Sequence, residues 1–362
     1  MSVRTGRESS ADDLIWSERN TTPDRIEAAL RELLHERYAS NRRLAPARVL
    51  NLVVVLDREW RGEVANRLES VGRYHASRTV LCTVEHGRTE LDAVAVMAYE
   101  SRTPGGIGVM YESIEIDMGP SHLDHLDTIV DPVIVSEMPT MLWSPHGHDE
   151  AVRSLLGMID VLLLDSDQLC EEPAESLARV GELLEAAYVV DLAWLRTTPW
   201  RERIAAAFDP PDRLTHLQNL EGVTVRHKPS STASALLMAG WLSSRLGWEP
   251  RQVRSSDGAG LRGSAASGSG EEIDVVLAPS EQDVPGLVGV TVSCCAGYSL
   301  SLDRGRGGLV ARERQGDATE RTWQVLGASR GEGGILGEGV RQALLRDGTY
   351  GPALQAARRF IG

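Results

Sequence analysis

Basic residues are scarce in this 362-residue chain: 38 lysines and arginines stand against 52 aspartates and glutamates, a net charge of −14. Nucleic-acid binders carry a basic face, so this balance argues against a nucleic-acid partner. It suits solubility, or a protein partner with a basic patch. Long apolar runs are missing too. None approaches the roughly 20 residues of a membrane-spanning helix. The polar start Met1-Ser-Val-Arg-Thr-Gly-Arg-Glu8 lacks the apolar centre of a secretory signal. The expectation is a cytoplasmic protein with no membrane partner.

Cysteine is sparse as well. Cys82, Cys170, Cys294 and Cys295 form no C-x-x-C pair. Adjacent Cα atoms lie about 3.8 Å apart, short of the usual disulfide span, so Cys294 and Cys295 read as small strand residues. The signatures G-x-x-x-x-G-K-[ST], G-x-S-x-G and H-E-x-x-H do not occur. After the apolar run Val49–Leu56, Asp57-Arg-Glu-Trp-Arg61 stands where a dinucleotide site needs a glycine-rich turn. Carboxylates are abundant, but no spacing marks an acid–base pair. No catalytic residue and no cofactor is assigned.

The length is large for one core and suggests two domains. Residues 1–22 are expected as a mobile tail, because they are polar and rich in Ser, Arg and Asp. Residues 23–210 alternate helical and strand patterns. Pro23 to Tyr38 is amphipathic, and Val49–Leu56 is apolar throughout, the pattern of a strand buried on both faces. Short strands follow at Thr79–Val84, Thr89–Tyr99, Val109–Asp117, Thr140–Trp143 and Val161–Asp165, with helices at His122–Val130, near Ala151 and at Ser176–Tyr188. This alternation predicts an α/β domain with a mostly parallel sheet and helices on both faces. Residues 211–362 predict a smaller α+β domain. A helix at Ser231–Leu246 precedes a stretch, 254–270, rich in Gly, Ser and Ala, which is expected as a flexible linker or loop. Five short strands from Ile273 to Val325 then read as an antiparallel meander, closed by helices at Ile335–Leu345 and Gly351–Ile361.

Several constellations invite chemistry, and each has a plainer reading. His122 and His125 share a helical face, while His146 and His148 flank a glycine. Imidazoles suit zinc, but no spacing ties the pairs together, and no metal ligand is assigned. Gly331-Glu-Gly-Gly-Ile-Leu-Gly-Glu-Gly339 precedes a helix, as phosphate cradles do. Its glutamates would repel an anion, and a flexible connection is the plainer reading. Arg78, at a helix-to-strand junction, suits a helix C-terminus or an anion contact.

The densest local pattern is Asp191-Leu-Ala-Trp-Leu-Arg-Thr-Thr-Pro-Trp-Arg-Glu-Arg-Ile-Ala-Ala-Ala-Phe-Asp209. Thr198–Pro199 predicts a helix start, with Trp200, Ile204 and Phe208 on one stripe. If a strand precedes it, Trp194 and Arg196 share a face. Trp and Arg are the residues that most often anchor interfaces, so Trp194, Arg196, Thr198, Trp200 and Arg201 form a candidate partner-binding set. The alternative is structural: tryptophan in the core, arginines capping carbonyls or pairing with Asp191 and Glu202. In a mixed version Trp200 is buried and the arginines are exposed.

This segment resembles the landmark motif of the glucose-6-phosphate dehydrogenase assembly protein family, OpcA. Three further blocks are similar to that family: Val49–Leu56 with His75-Ala-Ser-Arg-Thr79; Leu126–Pro132 through Met138–Trp143 and on to Asp160–Asp165; and Ala239–Trp248. A fainter echo lies at Asp347, Tyr350, Ala353 and Leu354. The chain departs from the family pattern at Trp143-Ser144, where paired aromatics are usual, and at Ala76, where proline is common. The resemblance implies a non-catalytic protein whose partner is glucose-6-phosphate dehydrogenase and which promotes its assembly or activity in the oxidative pentose phosphate pathway. A different class stays open from the residues alone: an α/β enzyme or sensor for a sugar phosphate or nucleotide.

Overall fold

The structure, a computed structural model, describes residues 13–40, 49–72, 77–100, 109–256, 260–316, 320–326, 331–343 and 345–362. In chain order the first elements are β1 (Leu14–Glu18), α1 (Pro23–Ser40), β2 (Leu50–Asp57), α2 (Arg61–Gly72), β3 (Ser77–Val84), β4 (Asp92–Glu100) and β5 (Val109–Met118). Then come α3 (Leu126–Val130), β6 (Thr140–Trp143), α4 (Asp149–Leu155), β7 (Val161–Leu164), α5 (Pro173–Ala186), β8 (Tyr188–Asp191), α6 (Leu192–Phe208) and α7 (Pro211–Gln218). The remainder is β9 (Leu220–His227), α8 (Thr232–Leu246), β10 (Glu249–Pro250), β11 (Arg254–Ser256), β12 (Gly260–Ala266), β13 (Glu272–Pro279) and β14 (Leu287–Cys294). It ends with β15 (Tyr298–Gly305), β16 (Gly308–Gln315), β17 (Arg321–Leu326), α9 (Gly331–Ala343) and α10 (Tyr350–Ile361).

Two compact units result. The first comprises the chain to Leu164 with residues 186–190 and 332–344; the second comprises 165–185, 191–331 and 345–362. The boundary expected at 210 therefore falls elsewhere: α6 belongs to the second unit and α9 to the first.

Among the described residues the first unit's sheet runs β1-β4-β5-β3-β2-β6-β7-β8. The pairs β5·β3, β3·β2, β2·β6 and β6·β7 are parallel. From β5 onward this is the doubly wound order, in which the chain reverses direction across the sheet between β2 and β6. Leu52, Val53, Val54, Val55 and Leu56 are all buried, as the unbroken apolar run predicts. The mobile tail expected over residues 1–22 does not hold for residues 14–20. Leu14–Glu18 pairs antiparallel with β4 at the sheet edge, and the Asn20 amide donates to Asp92 Oδ1 at 3.0 Å; residues 1–12 lie outside the described residues. A five-residue strand is too short for its alternation to be read against polar neighbours.

The second unit's sheet runs β10-β12-β13-β9-β14-β15-β16-β17, with β11 paired to β12. Only β13·β9 is parallel; the other pairs are antiparallel. Four of the five strands of the predicted meander form it, as β14 to β17; the first, Ile273–Leu277, instead lies in β13 between β12 and β9. The stretch expected as a flexible linker instead forms β11 and β12. Its small residues are a packing requirement: a Cβ on Gly260 would sit 2.6 Å from the Leu277 carbonyl oxygen, and one on Gly263 2.8 Å from Val253 Cγ1. One sheet face packs on α6 and α8 and buries Val223, Val225, Val275, Leu277, Val290, Val292, Leu300 and Leu302. Behind it α8 crosses α10 at close range, where a Cβ on Gly240 would lie 2.2 Å from the Ala353 carbonyl oxygen. The glycine-rich block read as a flexible connection falls inside α9, which buries Leu336 and Val340 one turn apart.

Candidate functional site

The Asp191–Asp209 segment folds differently from its local signals. Helix α6 starts at Leu192, not at Thr198, and Pro199 lies inside it. Asp191 is the cap: its Oδ1 accepts from the Ala193 amide at 2.9 Å, satisfying an orphan donor of the first turn. A capped start seven residues upstream overrides the Thr–Pro signal. Proline is tolerated there at the loss of one backbone hydrogen bond. Trp194 and Arg196 are thus on a helix rather than a strand. The stripe Trp200, Ile204, Phe208 is buried as predicted.

The arginines of the candidate set, expected at the surface in the mixed reading, are inside. Arg196 is 5% exposed and Arg201 9%. Arg196 forks onto Asp165, Nη1 to Oδ1 at 2.8 Å and Nη2 to Oδ2 at 2.7 Å. Such bidentate pairs are directional as well as strong. Asp167 Oδ2 lies 3.9 Å from the same guanidinium and accepts from the Ser234 hydroxyl at 2.5 Å, while Oδ1 takes the Ser234 amide at the start of α8. Asp191 also accepts from the Ser166 amide at 3.0 Å and from the Tyr350 hydroxyl at 2.8 Å. Arg201 lies over the Trp194 ring, 3.5 Å from its centroid, and its guanidinium donates to Thr197 and Thr198 hydroxyls at 3.0 and 2.9 Å. Trp194 Nε1 donates to Asp347 Oδ2 at 2.8 Å.

Two buried carboxylates, Asp165 and Asp167, thus face one buried guanidinium, and a third, Asp191, stands beside Asp165. Burial and then the neighbouring Asp165 push Asp191 up to about 6. The same two causes, in the same order, raise Asp167. Burial lowers Arg201 to about 10. Every one of these carboxylates is engaged by backbone amides, hydroxyls or arginine. The network locks the loop after β7, the starts of α6 and α8, and α10 together. The fold also joins two sequence blocks that were read separately. Asp347 and Tyr350, a faint C-terminal echo, are direct partners of Trp194 and Asp191. Only tertiary contact across roughly 150 residues reveals this.

The first unit holds the other place where function is expected. In doubly wound sheets, ligands bind beyond the carboxyl ends of the strands at the reversal point, here between β2 and β6. The chain's own side chains stand there. Trp60, 39% exposed, stacks on His146 with ring centroids 4.6 Å apart. Asp57 Oδ1 lies 3.5 Å from His148 Nε2. Arg61, opening α2, is engaged by Glu115 and by Asp117 at 3.1 Å, and Arg58 by Glu85 at 2.5 Å. His148 has φ +66°, a left-handed conformation rare for a non-glycine residue. Burial lowers the pKa of His146. A dinucleotide does not fit: its pyrophosphate needs close backbone approach and free donors. Here it would meet Trp60 and, beside His146, the carboxylates of Asp57 and Glu63. The histidine pairs do not converge either, and no group of three or more metal-ligating side chains occurs among the described residues. Arg78 donates to Glu112 at 2.7 Å and to the Val133 carbonyl at 2.9 Å, so its anion reading gives way to a buried ion pair.

Fold and site define a doubly wound α/β scaffold joined to an antiparallel sheet unit, with the reversal-point crevice occupied by its own aromatic and acidic residues. Two family models cover most of the chain: the glucose-6-phosphate dehydrogenase subunit N-terminal domain over residues 68–182 and the corresponding C-terminal domain over 187–354. The chain belongs to the OpcA family of glucose-6-phosphate dehydrogenase assembly proteins. It is 27% identical over 150 residues to an OxPP cycle protein OpcA of Synechococcus elongatus, covering 41% of this chain and 34% of that one. It is 30% identical over 151 residues to the namesake of Nostoc punctiforme, covering 41% and 32%. The match thus spans about a third of these relatives' length. A variant of the 3-ketoreductase KijD10 of Actinomadura kijaniata, solved with TDP-benzene and NADP, shares the fold. The TM-score is 0.50 at 10% identity, over 86% of this chain and 96% of that one. Among the described residues no helix is long and apolar enough to cross a membrane.

Proposed function

We propose that this chain is a non-catalytic subunit that binds glucose-6-phosphate dehydrogenase and favours its active oligomer or conformation. The observation that carries the reading is the filled reversal-point crevice on a scaffold whose family is named for that dehydrogenase. An oxidoreductase of this architecture needs its dinucleotide there. Among the described residues the Trp60–His146 stack stands there, and Arg58 and Arg61 are already paired with carboxylates. A binding protein changes the enzyme's state only through a difference in affinity between states. Preferring the active state by about 1.4 kcal/mol already shifts the ratio ten-fold. The set Trp194, Arg196, Thr198, Trp200 and Arg201 serves this binding from beneath. It braces the loop after β7 and the helices beside it, while half-buried Thr198 and exposed Glu202 and Arg203 form the rim of α6 that meets solvent. The filled crevice also argues against the runner-up, a nucleotide or sugar-phosphate enzyme.

The test mixes the purified chain with the dehydrogenase from the same cell. Expected are a complex of summed mass and a rise in dehydrogenase activity that saturates with added chain. Separate elution with unchanged activity over a wide concentration range would overturn the proposal.

A further inference from the structure

The second unit's sheet has two unlike faces. One is apolar and packed on helices. The other meets no described element, and its residues can be read off the strand registers in rows. The first row runs Arg262, Val276, Thr224, Thr291, Ser301, Arg312, Thr322 across β12, β13, β9, β14, β15, β16 and β17. The next runs Ser264, Asp274, Gly222, Ser293, Ser299, Arg314 from β12 to β16. A third runs Ala278, Arg226, Gly289, Asp303, Val310 from β13 to β16. The three central strands thus present only glycine and short hydroxyl side chains, apart from Arg226 and Asp303. That is a flat central strip, with the long side chains of Arg262, Arg312 and Arg314 confined to the flanking strands.

We propose that this face seats a second copy of the chain, related by a two-fold axis that runs along β14. This inference is independent of the proposed function. The axis places β9 over β15 of the partner, β13 over β16 and β12 over β17, keeping each row over itself. Short side chains then meet short ones: Thr291 meets its own counterpart, Thr224 meets Ser301, and Gly222 meets Ser299. Ala278 faces Val310. Opposite charges also coincide, which nothing in a solvent-facing sheet requires. Asp274 falls over Arg314. Among the described residues neither has an ion-pair partner within the copy. Arg226 falls over Asp303. Within one copy these two already pair at 2.6 Å across Gly289, where a Cβ would lie 2.4 Å from the guanidinium. The Nε–H of Arg226 is buried and makes no hydrogen bond. Two copies bring the two Arg226–Asp303 pairs together about the axis, each Asp303 being held also by Arg312 at 2.6 Å. Packed sheets rotate by about 30°, a displacement that arginine side chains can span. Seven strands about 4.8 Å apart and some 20 Å long give a flat footprint near 600 Å², the scale of the ~800 Å² per partner of stable interfaces.

Sedimentation of the full-length chain alone should give twice its 39.4 kDa mass. Thr291→Arg, which sets two cations against each other on the axis, should give a monomer with an unchanged melting curve. Asp274→Arg and Arg314→Asp should each weaken the dimer about ten-fold or more, since like charges are then opposed. The double reversal should restore it, because the charges again alternate. A monomeric wild type overturns the proposal. So does a dimer indifferent to Thr291→Arg, or one that the double reversal fails to restore. If these variants impair only binding of the dehydrogenase, the face belongs to that enzyme and not to a second copy.

Discussion

Arg196 sits where removal is costly. Its guanidinium is the charge that Asp165 and Asp167 face in a site closed to water, so Arg196→Ala leaves buried carboxylates uncompensated. A destabilisation of about 3–5 kcal/mol is expected, read by urea denaturation. Arg196→Lys keeps the charge but loses the fork, and should fall between. A loss below about 0.5 kcal/mol for the alanine variant would show that the network is solvated. Asp191 makes a second prediction. Its pKa rises from the ordinary 3.8 to about 6 on folding, because burial and Asp165 disfavour the charge. The folded state therefore binds more protons than the unfolded one through that interval. Stability from this group is present at low pH and is lost as pH rises through about 6. Melting temperature should fall between about pH 4 and pH 6, and the slope should flatten in Asp191→Asn. An equal slope in the variant would place the titration elsewhere.

Among the elements, the crossing of α8 and α10 is the tightest. Gly240 lets the two backbones approach, and Ala353 and Ala357 are the facing residues. Gly240→Ala improves helix propensity by about 1 kcal/mol. Here it should nonetheless destabilise by about 1–3 kcal/mol, because the new methyl meets a backbone carbonyl that cannot yield without separating the helices. The check is the sign. Net stabilisation in thermal unfolding would mean that the helices are free to part. The same logic explains β12. Gly, Ser and Ala are the composition of a linker, yet at Gly260 and Gly263 small size is what close packing demands. Composition alone does not distinguish a chain with nothing to pack from one packed too closely for side chains.

For the whole molecule, the prediction is an oxidoreductase-like frame without the corresponding chemistry. Purified chain with glucose 6-phosphate and NADP should yield no NADPH. Titrating NADPH should give no saturable change in tryptophan fluorescence, although Trp60 stands at the place where a dinucleotide would bind. Saturable quenching that is lost in Trp60→Ala would show the crevice to be open. Trp200→Ala should behave quite differently. It should cost about 3–5 kcal/mol with general loss of structure, since the ring is only 1% exposed.

Residue order by itself determined what depends on near neighbours. The apolar run at Val49–Leu56 had to be a strand buried on both faces, and the turn-punctuated strands from Val288 to Val325 had to form a meander. The Asp191–Asp209 pattern carried the family resemblance. Tertiary structure alone decided what that segment does. Its arginines could face solvent or core on local grounds. The deciding facts were Asp165, Asp167, Asp347 and Tyr350, whose carboxylates and hydroxyl arrive from distant parts of the chain. A buried charge is stable only where its partners converge, and convergence over such separations leaves no periodicity or spacing to read. The unit boundary escaped for the same reason: α6 and α9 go to the units that bury them, not to those their chain positions suggest.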